Sequence, residues 1–170
     1  MTKNTVDKLY RRHRVSIFRY FYKMGGNYHL AEELTQETFY QAAVSLDGFR
    51  GESTLSTWLF RIAFYVYTGH LRRNREVRSL DWDIPDTNMA GDPARAAENA
   101  ESMRLAGNAL QKLPLRYRAA IVLREIEGLT FEELGAVLDV SPSTARVILF
   151  RAKERFRSLF NQLTEGDSSD

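Results

Sequence analysis

The sequence has no cysteine, only 4 prolines and only 2 tryptophans among its 170 residues. The absence of cysteine excludes a disulfide framework, a zinc ribbon and a thiol nucleophile. No stretch reaches the roughly 18 apolar residues that a membrane-spanning helix needs. No apolar run follows the basic start MTKNTVDKLYRR, so no secretory signal is visible. We therefore expect a cytoplasmic protein that does not insert into a membrane.

The sequence also has no large excess of one charge sign. It contains 24 Lys and Arg and 22 Asp and Glu, which gives a formal net charge of +2. The charges are nevertheless segregated along the chain. Residues 1–80 carry a net charge of +6, residues 81–103 carry −5, residues 104–163 carry +4, and residues 164–170 carry −3. Two basic blocks around an acidic one suggest two surfaces for a polyanion, joined by a segment that avoids it. The alternative is that these charged residues simply lie on solvent-exposed helix faces and bind no polyanion.

Apolar residues recur at three-to-four spacing in both basic blocks, and no stretch shows the strict alternation of a half-buried strand. The spacing predicts helices over about residues 6–24, 30–46 and 54–73. Between the blocks, glycine and proline indicate a break in regular structure. We predict an all-α protein with an N-terminal helical bundle domain (residues 1–75), a linker (76–103), a C-terminal helical domain (104–163) and an acidic tail (164–170).

The stretch WLFRIAFYVYTGHLRR, residues 58–73, is rich in aromatic residues, and helical spacing divides its apolar side chains between two faces. One face suits the core of a three-helix bundle. The other places rings beside arginines, which suits single-stranded nucleic acid, because rings stack on bases and guanidiniums bind phosphates. The same rings could instead pack on the first helix or on the linker. The core face holds Trp58, Leu59, Ile62, Ala63 and Val66, and the second face holds Phe60, Phe64, Tyr67 and Leu71.

The second basic block contains a helix-turn-helix pattern over residues 129–160. Thr130 and Glu133 have the spacing of a capping box, which predicts the start of a helix. Ser141 followed by Pro142 predicts the start of another, because proline is well tolerated at the first helical position. Two short helices joined by three or four residues are typical of a helix-turn-helix, whose second helix enters the DNA major groove.

Helical geometry gives this second helix an outward face without acidic residues. Residues near its N-terminus are placed to reach base edges, and the later cations suit phosphates. A basic amphipathic helix with no role in DNA binding is the alternative, and the capped turn and the acid-free face disfavour it. The predicted DNA contacts are Ser143, Thr144, Arg146, Val147, Phe150, Arg151 and Lys153.

Motifs in both blocks resemble a known family. AEELTQETF, LDGFRGESTLSTWLFRIA and LRR come first, and LPLRYRAAIVLREIEGLTFEELGAVLDVSPSTARVILFRAKER follows the linker. Together they resemble the two-domain extracytoplasmic-function (ECF) sigma factors of bacteria over about residues 7–160. The resemblance implies a dissociable subunit that brings RNA polymerase to promoters.

The resemblance also implies a role for each domain. The second helix would bind the β′ clamp of core RNA polymerase, and the helix-turn-helix domain would read the minus-thirty-five element as duplex beside the β flap. The loop after residue 48 and the third helix would capture and open the minus-ten element. An anti-sigma protein, expected to be membrane-bound, would be a further partner. The implied contacts are Glu33, Gln36, Glu37 and Tyr40 for polymerase, and Phe49, Arg50, Ser53, Phe60, Arg61, Phe64, Tyr65, Tyr67, Arg72 and Arg73 for minus-ten DNA.

Four positions depart from the family pattern. The family usually has Asn where Tyr65 stands, and often Asp where Gly69 stands. Glycine inside a helix costs about 1 kcal/mol relative to alanine, so we expect a bend or an early helix end near Gly69. In the recognition helix, Val147 and Ile148 stand where the family has polar residues, and Val147 could touch a thymine methyl group.

Two other classes of function compete with this interpretation. A stand-alone helix-turn-helix regulator would need a dimerisation surface or a ligand pocket, and we expect no third domain that could supply one. An enzyme is disfavoured because the sequence has no His-containing metal spacing, no glycine-rich phosphate loop and no nucleophile elbow. We therefore expect no catalytic residue, no cofactor and no metal.

Overall fold

The computed structural model of the chain describes residues 2–74 and 92–168. Within those ranges every regular element is helical, which confirms the predicted all-α class. The helices are α1 (Thr2–Gly25), α2 (Tyr28–Ser45), α3 (Leu55–Arg73), α4 (Pro93–Lys112), α5 (Leu115–Ile121), α6 (Phe131–Leu138) and α7 (Pro142–Asp167), with a 3₁₀ turn at Leu46–Gly48 and a π-helical turn at Val122–Ile126.

Polar side chains cap the starts of α2, α3 and α4. At the start of α2, Asn27 Oδ1 accepts a hydrogen bond from the Leu30 amide at 2.8 Å. At the start of α3, Thr54 Oγ1 accepts one from the Thr57 amide at 3.1 Å, and Asp92 caps α4 in the same way. Each cap satisfies an amide that has no partner within its helix, which stabilises the helix by about 1 kcal/mol.

Three element boundaries differ from those expected from the sequence. Helix α3 continues through Gly69, so the expected early end at that glycine is not found. Helix α4 begins at Pro93, inside the segment assigned to the linker, and α7 extends to Asp167, inside the segment assigned to the acidic tail. Linker residues 76–91 lie outside the described residues. The domain boundaries at residues 75 and 104 stay predictions.

Helices α1, α2 and α3 pack against one another and form the first bundle. The large side chains at its centre are Tyr20, Phe21 and Leu59, each no more than 1% exposed. Full burial of a large apolar side chain contributes about 1.5–3 kcal/mol, so Phe21 and Leu59 each contribute substantially to the stability of the bundle.

Helices α4 to α7 form the second bundle, in which α7 packs against α4, α5 and α6. Leu134 and Leu138 of α6 are fully buried, as is Ala145 of α7 (1% exposed or less). Leu123, from the π-helical turn, completes this core. The packing fixes α7 relative to α6, which is what a helix-turn-helix requires.

The two bundles also pack against each other, through α3 with α6 and at the C-terminal end of α1. Arg118 is 7% exposed, and its Nη1 lies 3.0 Å from the Met24 carbonyl oxygen and 3.1 Å from the Tyr67 hydroxyl. Gln111 Nε2 donates to the same Met24 oxygen at 2.6 Å. Carbonyls in the last turn of a helix carry partial negative charge, so the C-terminus of α1 stabilises the Arg118 cation.

A bidentate ion pair joins the bundles nearer the surface. Arg19 Nε and Nη2 each lie 2.8 Å from one oxygen of the Glu127 carboxylate. The Glu127 side chain is only 2% exposed, whereas that of Arg19 is 44% exposed. The hydrogen bond to Glu127 raises the pKa of Arg19 above its ordinary value. Fork geometry of this kind is stronger than a typical surface pair.

Candidate nucleic-acid interface

The aromatic residues of α3 do not form the exposed stacking face that the sequence suggested. Phe60, Phe64 and Tyr67 are only 4%, 7% and 2% exposed. Phe60 packs edge-on against Tyr20 with ring centroids 5.9 Å apart, and the Tyr67 hydroxyl donates to the Met24 carbonyl at 3.2 Å. Helix α3 has neighbours on several sides, because α1, α2 and α6 all contact it. The prediction that these three rings are available to unpaired bases is therefore wrong for this arrangement.

Other members of the predicted minus-ten surface are exposed. Tyr65 is 51% exposed, and the Arg61 guanidinium carbon lies 5.9 Å from the centroid of its ring. Arg61 Nη1 also donates to the Ala136 carbonyl of α6 at 3.4 Å, so this part of α3 borders the second bundle. In the preceding loop, the Phe49 ring is 5.2 Å from that of Trp58. The exposed members are Arg50, Arg61, Tyr65, Arg72 and Arg73, and the half-buried members are Phe49 and Ser53.

Helix α2 presents the polar stripe that the sequence predicted as the polymerase contact. Glu33, Gln36, Glu37 and Tyr40 are all exposed, with Tyr40 at 64%. Glu37 Oε1 accepts a hydrogen bond from Gln41 at 2.8 Å, which restricts its rotamers. The opposite side of α2 is buried in the first bundle. The stripe is thus a polar, partly acidic surface held on a rigid helix.

The helix-turn-helix begins at a capping box. Thr130 accepts a hydrogen bond from the Glu133 amide at 3.1 Å, and the Glu133 carboxylate accepts one from the Thr130 amide at 3.4 Å. Asp139 ends α6 in the left-handed conformation, with φ of 59°. Ser141 then accepts a hydrogen bond from the Thr144 amide at 3.1 Å and caps α7. The predicted helix start, turn and cap are confirmed.

Gly135 makes the tight turn of this motif possible. A Cβ atom at this position would lie 2.6 Å from the Val140 carbonyl oxygen and 3.3 Å from the Ser141 carbonyl carbon, both backbone atoms. We expect Gly135→Ala to lower the free energy of unfolding by about 2 kcal/mol, because the turn must move to relieve the clash. Thermal denaturation measures the loss. Gly166→Ala is the matched control, since a Cβ there meets nothing within 4 Å; equal stability of the two variants would contradict the prediction.

The outward face of α7 agrees with the sequence analysis. Ala145, Leu149 and Ala152 are buried, and the opposite side is open, with Val147 46% and Phe150 64% exposed. Ser143, Thr144, Arg146 and Arg151 are also exposed. Lys153 is the exception, because it is half-buried and forms an ion pair with Glu125 of the π-helical turn.

Among residues 2–74 and 92–168, the other polar groups to consider are possible metal ligands and the histidines. No group of three or more His, Cys, Asp and Glu side chains there could hold a metal ion. Burial lowers the pKa of His13, with a smaller contribution from Arg12. Burial also lowers the pKa of His70. No helix among the described residues is long and apolar enough to cross a membrane.

Two family models match the chain, each on one bundle. Sigma-70 region 2 matches residues 9–77, and Sigma-70, region 4 matches residues 103–156. A region 2 bundle followed by a region 4 helix-turn-helix defines the class of sigma-70-type transcription initiation factors. The chain is 31% identical over 157 residues to the ECF RNA polymerase sigma factor SigW of Bacillus subtilis (strain 168), covering 86% of this chain and 84% of SigW. The chain belongs to the ECF RNA polymerase sigma factors.

Further similarities agree with this assignment. The ECF RNA polymerase sigma factor SigE of Mycolicibacterium smegmatis is 36% identical over 156 residues, which cover 89% of this chain and 60% of SigE. Among solved structures, the sigma factor RpoE in complex with the anti-sigma factor NepR from Bartonella quintana has the same fold. Its TM-score is 0.73 at 22% identity, covering 91% of this chain and 96% of that chain.

Proposed function

We propose that this sigma factor binds core RNA polymerase through α2 and divides promoter recognition between its two bundles, with no catalytic residue of its own. The exposed outward face at the start of α7, over residues 143–151, has no acidic residue and follows a capped turn, and it carries the proposal. It has the placement and charge that duplex readout in the major groove requires. Since core polymerase and promoter DNA are its partners, the protein would act in the cytoplasm.

The exposed residues of α3 and of the loop before it would bind the minus-ten element. Tyr65 offers an accessible ring, and Arg61 lies beside it as a phosphate ligand. Stacking of one base on one aromatic ring is worth about 1–3 kcal/mol. Tyr65 stands where the family usually has Asn. We therefore assign base capture in this protein to the ring of Tyr65.

Tyr65→Ala is expected to reduce promoter opening by about tenfold without affecting polymerase binding, because one stacking contact is lost. Permanganate footprinting of the holoenzyme on promoter DNA measures the unpaired thymines. Tyr10→Ala, which removes a ring that is 39% exposed on α1 and lies outside both proposed surfaces, is the control. Unchanged thymine reactivity in Tyr65→Ala would remove Tyr65 from the minus-ten site.

Duplex readout falls to the N-terminal half of α7. Its exposed side chains combine hydroxyl groups, the guanidiniums of Arg146 and Arg151, and the apolar Val147, which suits a thymine methyl group. A gel-shift assay separates this function from a stand-alone regulator. A sigma factor is expected to shift promoter duplex only together with core polymerase, whereas a regulator would shift it alone.

The packing of α6 against α3 affects how the minus-ten surface and the helix-turn-helix can bind DNA. Arg61 donates to the Ala136 carbonyl, so the minus-ten surface borders the helix-turn-helix. The two promoter elements lie apart along the DNA and must be contacted at the same time. We infer that the bundles separate when the holoenzyme forms, and that the described arrangement is the closed form.

An anti-sigma protein is the further partner that we propose. The support is the fold shared with RpoE, whose solved structure contains the anti-sigma factor NepR. Such a partner would act by covering α2 and the DNA-binding faces, and its attachment to a membrane rests on the family resemblance.

A further inference from the structure

Two guanidiniums share the ring of Phe131, the first residue of α6. The Arg146 guanidinium carbon lies 4.5 Å from the ring centroid, and that of Arg124 lies 4.4 Å from it. Both distances are well inside the ~6 Å limit for a cation–π contact. Arg124 is also fixed by a hydrogen bond from Nη1 to the Leu129 carbonyl at 2.7 Å.

Arg146 is exposed and has no such second anchor. Within the described parts of the chain its guanidinium makes no hydrogen bond and no ion pair. A guanidinium that lies over a ring uses its face and keeps its in-plane N–H donors for another partner. The O6 and N7 atoms of guanine in the major groove are a partner of that geometry.

The position of Arg146 in α7 distinguishes it from the other cations of that helix. It is the first cation after the Ser141 cap, in the part of a recognition helix that faces base edges. Lys153, about two turns further on, is ion-paired with Glu125. Arg146 therefore combines a base-facing position with free donors and a ring beneath it.

We propose, on the basis of the proposed function, that Phe131 is a positioning residue for Arg146. Its ring holds the arginine in one orientation before DNA binds, and this sets a preference for a G·C pair at one position of the minus-thirty-five element. An unsupported arginine samples many rotamers and loses that freedom on binding. The ring reduces this loss and leaves the N–H donors available.

The test uses the complete chain in holoenzyme and measures equilibrium binding to promoter fragments in which each minus-thirty-five base pair is changed singly. Arg146→Ala identifies the base pair that Arg146 reads. Phe131→Leu is expected to reduce discrimination at that pair about fivefold and to leave the other positions unchanged. Phe131→Tyr, which keeps the ring, should retain discrimination, and Phe131→Leu should have no further effect in the Arg146→Ala protein.

A loss spread equally over all base pairs, or an equal loss in Phe131→Tyr, would show that the ring only supports the fold and would overturn the proposal. If Arg146→Ala changes discrimination at no position, the proposed duplex readout itself fails. A second measurement needs no variant: ¹⁵N relaxation of arginine Nε–H groups in the free protein. Arg146 is expected to be more ordered than the exposed Arg151, and equal disorder would contradict its positioning by Phe131.

Discussion

Arg118→Met is expected to lower the free energy of unfolding by about 3 kcal/mol, because it removes a buried cation that serves several acceptors at once. Besides Met24 and Tyr67, the guanidinium reaches the carbonyls of Gln111 and Leu113, at 3.2 Å and 3.3 Å. Methionine fills part of the volume but donates no hydrogen bond. For a chain of this size the loss corresponds to a decrease in Tm of about 10 °C.

The same substitution should loosen the closed form, since Arg118 links the second bundle to the end of α1. Small-angle scattering is expected to show a larger radius of gyration at temperatures at which the variant remains helical. Arg116→Met is the matched control, because Arg116 is exposed and donates to the Leu138 carbonyl of its own bundle at 3.0 Å. Equal effects of the two substitutions on Tm and radius would contradict the role of Arg118 at the interface.

Charge reversal on α2 is expected to have the largest effect on function. Glu33→Lys combined with Glu37→Lys should weaken binding to core polymerase about 100-fold, because like charges placed against a basic partner surface cost several kcal/mol. Both carboxylates are exposed, so the fold should tolerate the change. Affinity is measured by titrating labelled sigma factor with core enzyme in the absence of DNA.

The control variant makes the same change in net charge but places the two substitutions on other helices. Glu98→Lys combined with Glu154→Lys alters exposed carboxylates on α4 and α7. We expect this protein to bind core polymerase with nearly unchanged affinity. If both pairs of substitutions weaken binding equally, the effect arises from overall charge and α2 is not the specific contact.

Local chemistry explains why the helix-turn-helix could be predicted in detail. Thr130 with Glu133, and Ser141 with Pro142, specify helix starts by hydrogen bonds within a few residues, so no distant contact was needed to place them. The outward face of α7 followed from helical periodicity. The role of Gly135 could not be predicted, because its constraint is a close approach by the backbone of the following turn.

The aromatic residues of α3 show where sequence reasoning stops. Periodicity divided the apolar side chains between two faces, but it could not say how many neighbours the helix has, and three members of the predicted core face (Trp58, Ile62 and Val66) are only half-buried. Packing of α3 against α1, in which Phe60 lies on Tyr20 and Tyr67 on Phe21, joins segments that are far apart in sequence. Phe60, Phe64 and Tyr67 are all buried. A basic residue gives no sign in sequence that it will be buried, so Arg118 was not recognised as an interface residue. Phe131 was missed because its partner Arg146 lies on the next helix.

Run-off transcription with purified components tests the central claim most directly. The chain is added to core RNA polymerase that lacks any other sigma factor, with genomic fragments as templates. We expect discrete transcripts from a small set of fragments, only when both proteins are present, and their loss on charge reversal at Glu33 and Glu37. Transcripts that are absent with the active wild-type chain, or that start equally from all fragments, would contradict promoter selection by this protein.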